Sequence, residues 1–214
     1  MHPTALPEGL RDLFVPPRCL GCRSLADAAL ELRLCDGCRA RLRAAPEAGP
    51  RIEGVDQWLA ATIYRGAARG VVAALKRGSV PGAAATAAEL IAEAVGTPSP
   101  GTTIVPVGAA RSRRLLRGLD PAEEIALALG TRLELPVAGL LRRLDRRPQR
   151  GRPRLMRLTE PPRFALIAPA PERALLVDDV VTTGGTLTSC AAALRRGGSS
   201  EVEAVAFARA TRPS

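Results

Sequence analysis

The chain has 214 residues, an apolar fraction of 46% and a formal net charge of +10 at neutral pH. That length can bury one full core plus a small appendage, in a composition ordinary for a globular protein. No apolar run approaches the about 20 residues needed to cross a bilayer, so a membrane span is excluded and no membrane partner is expected.

The opening MHPTALPEGLRDLF lacks a basic region followed by an apolar core. It does not read as a signal peptide, and a cytoplasmic setting is expected. Residues 1–17 form a lead closed by Pro16 and Pro17, and the only histidine, His2, lies in it, away from any plausible catalytic centre. The charge is uneven: residues 108–163 hold 14 Arg against 6 acids, a surplus of +8. A basic middle suggests a polyanionic ligand, from pyrophosphate to nucleic acid. A general Arg bias is the alternative, since Lys76 is the single lysine.

Next come Cys19-Leu20-Gly21-Cys22 and Cys35-Asp36-Gly37-Cys38, separated by twelve residues. Two such pairs are what a four-thiolate zinc site needs, each tight turn presenting two ligands. With four ligands and no open position the zinc would be structural. Two disulfides are the rival, disfavoured in a reducing cytoplasm, and a redox pair is a third option. Residues 1–50 carry seven Arg against six acids, so this module has no strong basic footprint of its own. The segment 46–50 reads as a linker, which divides the chain into a zinc-binding module and linker (1–50) and a larger domain (51–214).

Trp58 to Tyr64 reads as a strand and Arg65-Gly66 as a turn. Ala67 to Arg77 has Val71, Ala74 and Leu75 at helical spacing, with Gly78 as its C-cap. Lys76 is open between a solvated helix end and a ligand contact. Ala83 to Val95 is a second amphipathic helix, and Thr102 to Val107 a buried parallel strand. The strand runs straight into Gly108, Arg111, Arg113 and Arg114, a small-residue loop suited to cradling pyrophosphate or, more simply, an exposed basic turn. Asp120 caps a helix expected from Ala122 to Leu129, opened by Pro121. Leu135 to Leu141 is a further strand candidate.

Arg142 to Arg163 then holds nine Arg, two acids and several prolines, Arg147, Gln149, Arg150, Arg152 and Arg154 among them. Such a segment reads as a flexible lid over a polyphosphate, or as a solvated charge run. An apolar run from Ala174 ends at Asp178 and Asp179, followed by Thr182, Thr183, Gly184, Gly185 and Thr186 and then an Ala/Leu-rich helix. This order suits a strand that delivers ligand groups at its carboxyl end, with a phosphate on the next helix N-terminus. Cys190 falls on that helix's apolar face and reads as core. Val202 to Phe207 supplies a last strand. Walker and dinucleotide fingerprints are absent.

The stretch from Leu175 to Leu187, LLVDDVVTTGGTL, resembles the 5-phosphoribosyl 1-pyrophosphate (PRPP) motif of type I phosphoribosyltransferases. Joined to the double Cys pair, Tyr64-Arg65-Gly66 leading to Leu75-Lys76, the Val105-Pro106-Val107 strand, Arg117-Gly118 and Gln149, it resembles the ComF family of phosphoribosyltransferase-fold proteins of bacterial natural competence. The family's Gly-Phe-Asn-Gln stands here as Gly118-Leu119-Asp120-Pro121. The resemblance implies an α/β fold, a type I phosphoribosyltransferase-like parallel sheet flanked by helices, with a small N-terminal zinc-ribbon-like module. It implies PRPP or a related phosphorylated ribose bound with Mg²⁺ at Asp178 to Thr186, pyrophosphate at Gly108, Arg111 and Arg113, and structural Zn²⁺ on Cys19, Cys22, Cys35 and Cys38. It further implies an accessory of DNA uptake that binds single-stranded DNA and competence-machinery proteins. An active transferase that displaces pyrophosphate from PRPP with an unidentified acceptor is the alternative, and a PRPP-sensing interaction module a third. Only five aromatic residues are present, so DNA binding would be mainly electrostatic.

Overall fold

In a computed structural model, residues 18–25, 33–43, 47–77, 80, 82–108, 120–144 and 162–210 are described. The elements in chain order are α1 (Asp36–Arg43), β1 (Glu47–Ala48), β2 (Trp58–Ile63), α2 (Ala67–Arg77), α3 (Ala83–Val95), β3 (Thr102–Pro106) and α4 (Pro121–Leu133). They continue with β4 (Leu141–Leu144), β5 (Arg163–Leu166), β6 (Arg173–Val181), α5 (Gly185–Arg196) and β7 (Glu201–Arg209).

Five strands form one sheet in the order β1-β2-β7-β6-β3, parallel throughout except for β1. Strands covered on both faces need apolar residues of both parities, and β6 and β7 supply them. Leu175, Val177, Val205 and Phe207 pack into one core with α2, α3 and α4. Ala174, Leu176, Val202, Ala204 and Ala206 pack into the other with α5. On α5, Leu187, Cys190, Ala191 and Leu194 are fully buried, as their helical spacing requires.

The cysteine segment does not stand apart from this architecture. Cys19, Leu20, Leu34, Cys38 and Leu42 belong to the same core as Val71, Val72 and Leu75 of α2. Contact is made backbone to backbone. A Cβ placed on Gly70 would lie 2.1 Å from the Leu20 carbonyl oxygen, and one on Gly21 would lie 2.8 Å from the Ala67 Cβ. Two glycines therefore let the first Cys turn sit directly on the opening turns of α2. An ion pair from Arg43 of α1 to Glu93 of α3 adds a surface tie.

Several boundaries differ from the sequence reading, for identifiable reasons. Residues 47–48 of the expected linker pair antiparallel with Leu59 and Ala60 as an edge strand. The helix expected to end at Leu129 continues to Leu133, with Gly130 inside it as a close-contact residue. A Cβ there would lie 2.3 Å from Val137 Cγ2. Of the expected strand Leu135 to Leu141, Val137 alone bridges Ile104, and the strand proper starts at Leu141.

Of the expected lid, Arg142 to Arg163, residues 145–161 lie outside the described residues. Its two ends form a hairpin, with Leu141 opposite Leu166 and Arg143 opposite Phe164. Leu141 and Phe164 are buried in the α5 core, and this burial fixes the register despite the arginines between them.

The Gly70 contact yields a first prediction. Replacing a helix glycine by alanine ordinarily stabilises by about 1 kcal/mol. Here the added methyl meets a backbone carbonyl that cannot rotate away, and overpacking of this kind costs about 1–3 kcal/mol, with so short an approach at the upper end. Gly70→Ala should therefore lower the melting temperature measured by circular dichroism, where the propensity effect alone would raise it.

Candidate functional site

The site begins where the two neighbours of β6 stop supporting it at different points. Pairing with β3 ends at Pro106 opposite Val177, after which the Val107 amide donates to the Val177 carbonyl at 2.9 Å. Pairing with β7 continues through Asp178 opposite Ala206 to Val181 opposite Arg209. Asp178 and Asp179 thus sit on the part of β6 that has outrun β3, at the carboxyl edge of a parallel sheet. This edge is where open α/β sheets place ligands.

The two acids meet different surroundings. Asp179 shares the parity of Leu175 and Val177 and faces the α2 side. Its Oδ2 lies 3.2 Å from the Lys76 ammonium, and its Oδ1 accepts from the Val180 amide at 2.9 Å. Asp178 follows Leu176 toward α5, and its Oδ1 accepts from the Asp179 amide at 2.8 Å. Burial, and then the neighbouring Asp179, push the Asp178 carboxyl well above the ordinary range, with a smaller push from Asp120. Burial and the Asp178 charge also push up the Cys190 thiol, which is core and not a nucleophile.

Beyond Val181 the chain turns through exposed Thr182 and Thr183 into buried Gly184, which has φ of 80° and is the N-cap of α5. No side chain caps this helix, so the amides of its first turn keep their hydrogen-bonding capacity and the positive end of the helix dipole stays open. A Cβ on Gly184 would lie 2.9 Å from Ile52 Cδ1, and its positive φ would strain any other residue. An uncapped helix start with adjacent threonine hydroxyls is chemically an anion seat. The carboxylates beside it suit hydroxyl donors or a divalent cation that arrives with a polyphosphate, since Mg²⁺ is usually held by one or two carboxylates plus phosphate oxygens. Asp179 Oδ2, buried and without a partner in hydrogen-bond geometry, fits such a role.

Of the residues expected to form the site, Asp178, Asp179, Thr182, Thr183, Gly184, Gly185 and Thr186 follow one another along this edge. Gly108 leaves β3 at the same edge, packed so that a Cβ would lie 2.9 Å from the Leu141 carbonyl oxygen. Arg111, Arg113, Arg147, Gln149, Arg150, Arg152 and Arg154 lie outside the described residues. Two groups at the site were not assigned to it from the sequence. Lys76 stood open between solvent and ligand, and Asp120 read only as a cap. Asp120 does cap α4, accepting from the Ala122 amide at 3.0 Å, but its charge also reaches Asp178.

The four paired cysteines form a second constellation. Their sulfurs all lie within 4.8 Å of one another, with Cys19 to Cys35 and Cys22 to Cys35 at 3.7 Å. Tetrahedral zinc with bonds of about 2.3 Å separates its sulfurs by about 3.8 Å, whereas a disulfide requires about 2.05 Å. The Cys35 amide donates to Cys19 Sγ at 3.4 Å. Hydrogen bonding from Ser24 brings the Cys22 thiol down to about 6, while burial and the neighbouring thiols push Cys38 up. The donor set and spacing fit a closed zinc site.

Residues 115–213 match the family model for the phosphoribosyl transferase domain, a span that includes β6, the Thr/Gly loop and α5. No curated protein matches the chain. Among solved structures the chain is similar to a hypoxanthine phosphoribosyltransferase from Staphylococcus aureus, at 15% identity and a TM-score of 0.34, over 57% of this chain and 61% of that one. It is also similar to a mutant Trypanosoma cruzi hypoxanthine phosphoribosyltransferase in a ternary substrates complex, at 14% identity and a TM-score of 0.34, over 65% and 67% of the two chains. Superpositions this loose transfer no substrate. The family match and the parallel sheet flanked by helices give an α/β fold of phosphoribosyltransferase type, preceded by a cysteine cluster able to form a small zinc module. Among the described residues no helix is long and apolar enough to cross a membrane.

The raised carboxyl of Asp178 gives a signed prediction. A carboxyl whose value is higher in the folded than in the unfolded state binds its proton more tightly when folded. Stability then falls as pH rises between the two values. Without ligand, Asp178→Asn should raise the melting temperature at pH 7 to 8, by about 2–4 °C for each kcal/mol relieved in a chain of this size. Thermal melts across pH should show the advantage shrinking as pH falls and gone by about pH 3, where Asp178 is protonated in both states.

Proposed function

We propose that this chain binds PRPP or a closely related phosphorylated ribose. The observation that carries the reading is the uncapped N-terminus of α5 directly after two carboxylates at the carboxyl end of β6. The 5-phosphate sits on the amides of Thr183 to Thr186 and the hydroxyls of Thr182, Thr183 and Thr186. Asp178 and Asp179 accept the ribose hydroxyls or face the Mg²⁺ carried by the pyrophosphate. Mg²⁺ supplies charge neutralisation there, and this chain's residues orient the sugar. Gly108, with Arg111 and Arg113, is the proposed pyrophosphate loop. Zinc on Cys19, Cys22, Cys35 and Cys38 is structural, in a cytoplasmic setting that keeps the thiols reduced.

The ComF-like sequence pattern supports a more specific role as an accessory of DNA uptake. The double Cys pair stands before the PRPP motif, and the surplus of +8 over residues 108–163 supplies an electrostatic footprint for single-stranded DNA, with Arg147, Gln149, Arg150, Arg152 and Arg154 as the proposed contact loop. The uptake-machinery partners belong to the same reading. The family match over 115–213 favours a second reading, turnover of PRPP by phosphoribosyl transfer to an acceptor.

PRPP with Mg²⁺ should raise the melting temperature of the wild type but not of Asp178→Asn/Asp179→Asn. Equal shifts in both would remove the acids from the site. Titrating PRPP with and without single-stranded DNA separates the roles, since an accessory binds both without releasing pyrophosphate while a transferase releases it once its acceptor is supplied. Replacing Arg150, Arg152 and Arg154 together should weaken DNA binding and flatten its salt dependence. Metal analysis should return one zinc per chain, and chelation should loosen residues 18–43 first by hydrogen exchange.

A further inference from the structure

Asp178 and Asp179 are adjacent carboxylates with the same nominal chemistry, but only one of them faces a cation among the described residues. The Lys76 ammonium stands 3.2 Å from Asp179 Oδ2, with 46% of the lysine side chain and 17% of the aspartate side chain exposed. A lysine in the last turn of a helix ordinarily extends into solvent and favours the negative end of the dipole. Lys76 instead reaches across to the strand, and it is the one lysine in a chain whose other cations are arginine. Unlike a planar guanidinium fork, an ammonium is a compact point charge and leaves the remaining lone pairs of the carboxylate uncovered.

The position of Lys76 is set at the other end of its helix. Gly70 allows α2 to lie against the Leu20 carbonyl, which fixes the rotation of the helix about its axis. Val71, Val72, Ala74 and Leu75 are buried and lock the same rotation from the core side. Six residues beyond Gly70, about 240° further round the helix, Lys76 comes level with Asp179.

We infer that Lys76 is a positioning residue of the ribose site, holding the Asp179 carboxylate in one orientation so that it selects a sugar carrying its 2-hydroxyl. This rests on the ligand reading above and adds to it a residue and a specificity. Asp179 accepts from the Val180 amide at 2.9 Å on Oδ1, and the Lys76 ammonium stands 3.2 Å from Oδ2 as an ion-pair contact rather than a hydrogen bond. A carboxylate offers about four acceptor positions and one is filled by the Val180 amide, so others remain for the ligand while that bond and the Lys76 charge set the plane. Asp178 has no such clamp among the described residues, and its role is separate. If Lys76 is removed, Asp179 loses its orientation while the amides at the start of α5 are untouched.

The test is calorimetric titration of wild type, Lys76→Met, Lys76→Arg and Asp179→Asn with ribose 5-phosphate, 2-deoxyribose 5-phosphate and inorganic phosphate. Ligand-free melts serve as the fold control. Wild type should prefer the ribose compound by about tenfold, the size of one hydrogen bond to a charged group. Lys76→Met should lose most of that preference and keep its inorganic phosphate affinity, and Lys76→Arg should recover part of it. Asp179→Asn should lose the preference as well, with no further loss when Lys76→Met is combined with it. A parallel fall in phosphate affinity in Lys76→Met would overturn the inference in favour of direct anion contact, and an undiminished preference would overturn it outright. Should Lys76→Met fail to fold, Asp179→Asn with Lys76→Arg carries the same comparison. A wild type that binds none of the three compounds would overturn the ligand reading itself, an outcome distinct from failure of Lys76 alone.

Discussion

The unequal support of β6 is the constraint on which the rest depends. Its pairing with β3 stops at Val177, whereas its pairing with β7 runs on to Val181. The strand is therefore rigid enough to hold two carboxylates in place and open enough on one side to present them. Were β3 as long as β7, its backbone would cover the edge at Asp178 and Asp179. The same overhang aims the chain into the Thr/Gly turn and the uncapped start of α5. Leu187, buried at the first turn of α5, and Ile52, packed against Gly184, hold that helix start in position.

The acids carry an electrostatic cost that the fold leaves partly unmet. Asp178 is pushed toward its neutral form by burial and by Asp179, and Asp120 adds to the effect. Lys76 forms an ion pair with Asp179. Sites that hold unfavourable charge without ligand are the sites whose ligand restores the balance. A sugar phosphate that arrives with a divalent cation brings both the hydroxyl donors and the positive charge these carboxylates lack. The cysteine cluster enters the same argument through α2, because the helix that presents Lys76 rests on the backbone of the first Cys turn. A segment too small to bury its own core thus becomes a support for the helix layer.

Much of this was legible in the sequence where local pattern and tertiary environment agree. The apolar run from Ala174, its halt at two acids, and the Thr/Gly turn into an Ala/Leu helix specify β6, the loop and α5 almost residue by residue. The bounds of α3, and of α2 to Arg77, also follow from helical spacing. Pattern failed where a distant partner decides the outcome. Arg142 and Arg143 fall in a segment that reads as a flexible lid or a solvated charge run, yet Leu141 and Phe164 draw the segment ends into a hairpin under the α5 core. The helix expected to end at Leu129 runs on through Gly130, which lies in close contact with Val137. The Lys76–Asp179 pair joins residues far apart in the chain, and nothing local in either segment announces it. Its one hint was composition, a single lysine among arginines.

The central claim is that the amides from Thr183 to Thr186 form an anion seat for a ribose phosphate beside Asp178 and Asp179. Amide chemical-shift mapping of the full-length protein titrated with ribose 5-phosphate tests it most directly. The largest shifts are expected at Thr183 to Thr186 and at Asp179 and Val180, with inorganic phosphate moving the first group alone. Shifts centred elsewhere, with these amides unmoved at saturation, would contradict it.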